Sequence, residues 1–168
     1  SWILSVEPSG SSYLGIDSTP NHESWIKKAL NLALKAYEIG EIPVGAIIVK
    51  NNVIIGQGHN QKEKLNDPTA HAEMIAITAA SNTLRDWRLE DCSLYVTKEP
   101  CPMCAGAIIN SRISNLYFGA YDENKGCCGS LYQLCGDKRL DSVTGVKGGI
   151  LEEACSSLLQ DFFRAKRK

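Results

Sequence analysis

Two short segments constrain this chain more than anything else in it: His71-Ala72-Glu73 and Pro100-Cys101-Pro102-Met103-Cys104. A histidine and two cysteines in this grouping are good zinc ligands, so a fold that uses them must bring the two segments together. A structural zinc site closes its tetrahedron with four protein donors, whereas a hydrolytic site stops at three and leaves the last position to water. His71, Cys101 and Cys104 make three, and Glu73 is a carboxylate to spare. That is the arithmetic of a hydrolase.

The spacings suit the chemistry. Cys101 and Cys104 lie nearly one helical turn apart, so two thiolates at the start of a helix can grip one ion from the same side. Pro102 supports a helix start there, because it lacks an N–H where that donor would be unpaired anyway, and a helix N-terminus favours anionic sulfurs. Glu73, two positions beyond His71, can sit beside a metal-activated water without ligating and move its proton to a leaving group. Taken alone, C-x-x-C also suits a redox pair or half of a structural clip, with a fourth ligand available from Cys92, Cys127, Cys128, Cys135 or Cys155. The whole pattern, with H-A-E on one helix, P-C-P-M-C opening another and a β-like run between them, is more specific than either half and predicts one catalytic Zn²⁺ per chain.

Composition narrows the class. At 168 residues and 43% hydrophobic content, the chain suits one domain with a real core. No stretch approaches the roughly 18 apolar residues of a membrane span, and no basic segment precedes an apolar one, which predicts a soluble, cytoplasmic protein without membrane contact. Ser1 stands in place of an initiator Met, which suggests processing or trimming. Seven cysteines, an odd count, do not read as a secreted disulfide framework, and those not bound to metal are expected to be reduced and to serve as small apolar residues. A net charge of −1 excludes a surface generally coated for nucleic acid. Any such contact is local, and the one basic cluster is Arg164-Ala165-Lys166-Arg167-Lys168.

Periodicity gives an alternation of helices and strands. Residues 1–20, rich in Ser, Gly and Pro, read as a tail outside a domain spanning 21–168. Trp25, Ala29, Ala33 and Tyr37 recur every four residues and predict a helix over 22–39, capped by Asn21 and ended by Gly40. Residues 44–50 and 53–57 are β-rich runs joined by Asn51-Asn52, a hairpin signal. A helix over 69–80 carries H-A-E and buries Ala72, Ile75, Ala76 and Ala79. A strand over 93–97 leads into a cysteine helix over 102–109, then a strand over 115–119. The last helix, 151–167, has Leu151, Ala154, Cys155, Leu158, Leu159 and Phe162 on one face. Residues 121–149 carry no clear period. The expected architecture is a mixed sheet covered by helices, with chemistry at a strand-to-helix junction.

The H-x-E and P-C-x-x-C pair is the signature of zinc deaminases that act on nucleobases. From about residue 22 to the end, the chain resembles the bacterial tRNA-specific adenosine deaminases. The resemblance rests on Glu41-Ile42-Pro43-Val44-Gly45-Ala46, Asp67-Pro68-Thr69-Ala70-His71-Ala72-Glu73 and Thr97-Lys98-Glu99-Pro100-Cys101 with Met103-Cys104-Ala105-Gly106-Ala107. It also rests on Gly129-Ser130-Leu131 and Asp161-Phe162-Phe163-Arg164. It implies an α/β, three-layer cytidine-deaminase-like fold and hydrolytic conversion of adenosine to inosine at the wobble position of a tRNA anticodon. Zinc on His71, Cys101 and Cys104 and a proton shuttle at Glu73 are part of that implication. So are Asn60, with the backbones of Ala72 and Pro100, around the target purine, and Asp122 near the nucleotide backbone. Phe162, Phe163, Arg164 and Arg167 would approach neighbouring nucleotides of the anticodon stem-loop, and the protein would be a homodimer.

Some positions depart from the common pattern of that family. Lys98 stands where Leu is usual, Asn124 where several members have Lys, and Cys127-Cys128 where small residues are normal. Asn60 could also simply cap a turn, and Phe162 and Phe163 diverge by about 100° on a helix, so that only one can enter the core; Phe163 is the candidate to face RNA. His22 and His59 read as ordinary surface or packing residues. Two other readings remain: a deaminase of a free base or nucleoside, which has no use for a basic aromatic terminal helix, and a zinc-stabilised RNA-binding module, which has no use for Glu73.

Overall fold

A computed structural model describes residues 21–167, so the expected tail over residues 1–20 lies outside the described part. The first helix, α1 (His22–Glu38), starts where its cap predicts: Asn21 Oδ1 accepts the Ser24 N–H at 2.8 Å, satisfying one of the donors that a helix start leaves open. It buries Trp25, Ile26, Ala29, Leu32, Ala33 and Ala36, a wider stripe than the four-residue recurrence indicated.

Strands β1 (Gly45–Lys50) and β2 (Val53–His59) form the expected antiparallel hairpin. Asn51 and Asn52 both take left-handed conformations, with φ of 52° and 61°, which is the turn whose twist matches that of the flanking strands. Next come α2 (Ala72–Leu84), β3 (Ser93–Lys98), α3 (Pro102–Asn110), β4 (Asn115–Ala120), β5 (Gly145–Lys147) and α4 (Glu152–Lys166). The sheet order is β2-β1-β3-β4-β5; β1 is antiparallel to β2 and β3, while β3, β4 and β5 run parallel, so the sheet is mixed as expected. The short strand β5 was not anticipated, because three residues cannot display a period.

Alternation along the strands makes three layers. Ala46, Ile48, Leu94, Val96, Leu116 and Phe118 point to the side covered by α2 and α3. Ile47, Val49 and Tyr95 point to the other, under α1 and α4, through Trp25, Ile26 and Cys155. Each fully buried Leu or Ile contributes about 1.5–3 kcal/mol relative to exposure, so both faces stabilise the sheet that carries the site. The helix α2 lies close on β2 because two glycines face it: a Cβ at Gly56 would stand 2.5 Å from the Ala76 carbonyl oxygen, and one at Gly58 2.8 Å from that of Ala72.

Three boundaries and faces differ from expectation. Residues 69–71 are not helical. Asp67 Oδ1 accepts both the N–H and the hydroxyl of Thr69, at 2.8 and 2.7 Å, and this turn delays the helix to Ala72. On α2 the buried positions are Ala72, Glu73, Ala76 and Ala80, while Ile75 and Ala79 are only half-buried. On α4, Leu151 precedes the helix with a left-handed φ of 52°, Ala154 is exposed, and the fully buried residues are Cys155 and Phe162. All seven cysteines are free, and Cys92, Cys127, Cys128, Cys135 and Cys155 are buried, as small apolar residues should be.

Candidate metal centre and active site

His71 is the N-cap of α2 and Cys101 the N-cap of α3, each with extended backbone, and neither side chain turns back to cap its own helix. Both instead face the gap between the two helix starts. His71 Nδ1 lies 3.6 Å from Cys101 Sγ and 3.5 Å from Cys104 Sγ, and the three donor atoms fall within 4.8 Å of one another. Tetrahedral zinc with Zn–S near 2.3 Å and Zn–N near 2.0–2.1 Å requires a sulfur-to-nitrogen separation of about 3.6 Å, so the donor set fits zinc in kind and spacing. No fourth histidine, cysteine or acidic donor joins the group among the described residues.

The electrostatics are those of a site built for a cation. A hydrogen bond with the Cys104 thiol, helped by His71, holds Cys101 down to about 4, while the same bond and burial push Cys104 up. His71 is raised, chiefly by its hydrogen bond to Cys101. A metal ion bound by these residues would displace their thiol protons. Glu73, in the first turn of α2, is only 4% exposed and lines the same pocket. Burial is the main cause that raises its pKa, favouring the protonated form.

The pocket over these residues also collects Asn60, Ala72 and Asp122. Asn60 is buried; its amide donates to the Ile42 carbonyl at 3.4 Å and its Oδ1 accepts the Lys62 N–H at 3.3 Å, so it caps a turn and lines the pocket at once. Pro100 is not part of the lining, and its carbonyl accepts the Cys127 N–H at 2.9 Å. A shallower groove adjoins the pocket through Ile42, Lys98, Asp122 and Lys125 and runs to Phe163 on α4. Phe163 is 41% exposed in that groove, whereas Phe162, at 6%, packs edge-on against Tyr37 at a centroid distance of 5.6 Å. The expectation that Phe162 meets a nucleotide is thus corrected: its ring is taken by the core. Arg164 and Arg167 are exposed, Arg164 beside Asp161 at 3.0 Å. His22 and His59 behave as packing residues, His22 stacking on Tyr117 at 4.1 Å and bonding the Tyr95 hydroxyl at 2.7 Å, and His59 approaching the Asn60 carbonyl at 3.3 Å.

Two buried carboxylates that sequence reasoning left without a role hold the pocket walls. Glu41 accepts the N–H groups of Glu63 and Lys64 at 3.1 and 2.7 Å, fixing the loop that carries Asn60 and Lys62. Glu99 accepts the N–H groups of Asp122, Cys128 and Ser130 at 2.9, 3.1 and 2.9 Å, fixing the loop opposite. The available signal was an acidic residue opening each of the Glu-Ile-Pro and Glu-Pro-Cys segments, where an unpaired buried charge would be costly.

The family description "Cytidine and deoxycytidylate deaminase zinc-binding region" matches residues 19–120. A relative from Bacillus subtilis (strain 168), named tRNA-specific adenosine deaminase, is 47% identical over 146 residues, covering 87% of this chain and 91% of its own. A solved structure of a tRNA deaminase described by its A-to-I editing at the wobble position of transfer RNA superposes with a TM-score of 0.77 at 36% identity, over 80% of this chain and 97% of that one. A guanine deaminase from Bacillus subtilis superposes with a TM-score of 0.58 at 45% identity, over 61% of this chain and 66% of that one.

Proposed function

We propose, because this chain belongs to the tRNA-specific adenosine deaminases within the cytidine and deoxycytidylate deaminase zinc-binding family, that it converts adenosine to inosine at the wobble position of a tRNA anticodon. The observation that carries this reading is the meeting of His71, Cys101 and Cys104 within 4.8 Å beside the buried carboxylate of Glu73. These three residues hold zinc, which supplies the Lewis acidity that makes water nucleophilic near neutral pH. Glu73 accepts the proton of the attacking water and delivers it to the departing amino nitrogen. A C–O bond forms as the C–N bond breaks, and ammonia leaves.

The pocket positions the base. Asn60 and the backbone of Ala72 line it and offer hydrogen bonds to the purine. Asp122 and Phe163 line the adjoining groove, and Phe163, with the exposed Arg164 and Arg167, meets the nucleotides that flank the target. No described helix is long and apolar enough to cross a membrane. The protein acts in the cytoplasm as a homodimer, in keeping with its substrate and family.

Incubation of the zinc-loaded protein with an anticodon hairpin, adenosine, cytidine and guanine, read by mass spectrometry, tests the reading. Inosine in the hairpin alone is the expected result. Comparable turnover of a free base or nucleoside would make it a free-base deaminase, and binding without turnover an RNA-binding module.

A further inference from the structure

Lys98 ends β3, three positions before the zinc ligand Cys101. Its Nζ lies 3.1 Å from Asp122 Oδ2, and it lines both the pocket that holds Glu73 and the groove that runs to Phe163. Asp122 is held in place by neighbours within the chain. Its Oδ1 accepts the N–H groups of Asn124 and Lys125 at 3.0 and 3.2 Å, its Oδ2 faces the ammonium, and its side chain is 12% exposed against 28% for Lys98. An ammonium carries three N–H donors, and the ion pair uses one.

We propose that Lys98 binds a phosphodiester of the RNA strand next to the target adenosine, at the junction of pocket and groove. The inference rests on the reading of the site as one that accepts an anticodon loop. Asp122 alone would repel a phosphate; paired with Lys98 it is neutralised, and it holds the ammonium in place before RNA arrives. Lys62 and Lys125 line the same pocket, so Lys98 is one of three ammonium groups there, set among the carboxylates of Glu73, Glu99 and Asp122, in a chain whose net charge is −1.

The test is the affinity of zinc-loaded wild type, Lys98→Leu and Lys98→Arg for an anticodon hairpin, measured between about 50 and 200 mM salt. Lys98→Leu should weaken binding about tenfold at the low end, as loss of a charge-assisted hydrogen bond does. It should also reduce the slope of log K against log salt by about 0.7–0.9, and Lys98→Arg should restore both. Hairpins bearing one neutral methylphosphonate, placed 5′ or 3′ of the target, supply a cycle that does not depend on the variant's folding: at one of the two linkages wild type should weaken and Lys98→Leu should not. An unchanged salt slope, or losses that add at both linkages, would overturn the proposal and leave Lys98 as a brace for Asp122. Wild type that turned over free bases but did not bind the hairpin would instead remove the underlying reading of the site.

Discussion

Glu73 is buried beside Cys101 and Cys104, and its pKa is raised mainly by loss of solvent. Glu73→Gln keeps the shape of the side chain but cannot carry a proton between water and a leaving nitrogen. Turnover of the hairpin is expected to fall by about 10²–10⁴-fold while one zinc per chain and RNA affinity persist. Loss of metal from this variant, measured by atomic absorption, would make Glu73 a ligand instead. Asp122 gives a pH-dependent prediction. Burial pushes its carboxyl up, but the Lys98 ammonium and the N–H groups of Asn124 and Lys125 together bring it below its ordinary 3.8. A depressed folded-state pKa contributes stability that is present above the unfolded value and lost as pH falls through the folded one. The difference in melting temperature between wild type and Lys98→Leu should therefore be largest near neutrality and shrink as pH drops below about 4. A gap independent of pH would show that packing of the Lys98 stem, and not its charge, sets the difference.

At the scale of elements, the position of α2 decides where His71 and Glu73 stand, and that position depends on Gly56 and Gly58. Gly56→Ala places a Cβ against the backbone of Ala76 and Ala80, which cannot move without shifting the helix. A loss of about 1–3 kcal/mol in denaturant unfolding is expected, with weaker zinc retention, and unchanged stability would mean that α2 can lift off β2 freely. The end of α4 is different in kind. Phe162 belongs to the core and Phe163 to the groove, so deletion of residues 163–168 removes the exposed Phe163, Arg164 and Arg167 and spares Phe162. Such a protein should keep its zinc and any trace turnover of free adenosine yet lose most kcat/KM on the hairpin, because stacking on an aromatic is worth about 1–3 kcal/mol per base. Parallel loss of both activities in well-folded protein would return the last turn to a packing role.

At the scale of the whole molecule, the metal joins two helix starts that lie on the same side of the sheet but are far apart in sequence. Its binding energy is then also folding energy. Cys101→Ser, Cys104→Ser or chelation of wild type should lower the metal content and the melting temperature together, and added zinc should restore the chelated wild type only. A cysteine variant that held zinc with normal affinity would transfer the ligand role to another thiol.

Much of this was legible in the sequence because it is written in local chemistry. Asn21 as a cap, Asn51-Asn52 as a turn and Pro102 after Cys101 act within a few residues, and the ligand and shuttle types of His71, Glu73, Cys101 and Cys104 follow from what zinc and proton transfer demand. The long match to a family supplied the fold and the substrate. Tertiary structure alone decided the rest, because it depends on partners distant in sequence that no local pattern encodes. Glu41 closes on Glu63 and Lys64, Glu99 on Asp122, Cys128 and Ser130, and Lys98 on Asp122. Likewise Phe162 is buried and Phe163 exposed because Tyr37 on a separate helix occupies one side of α4.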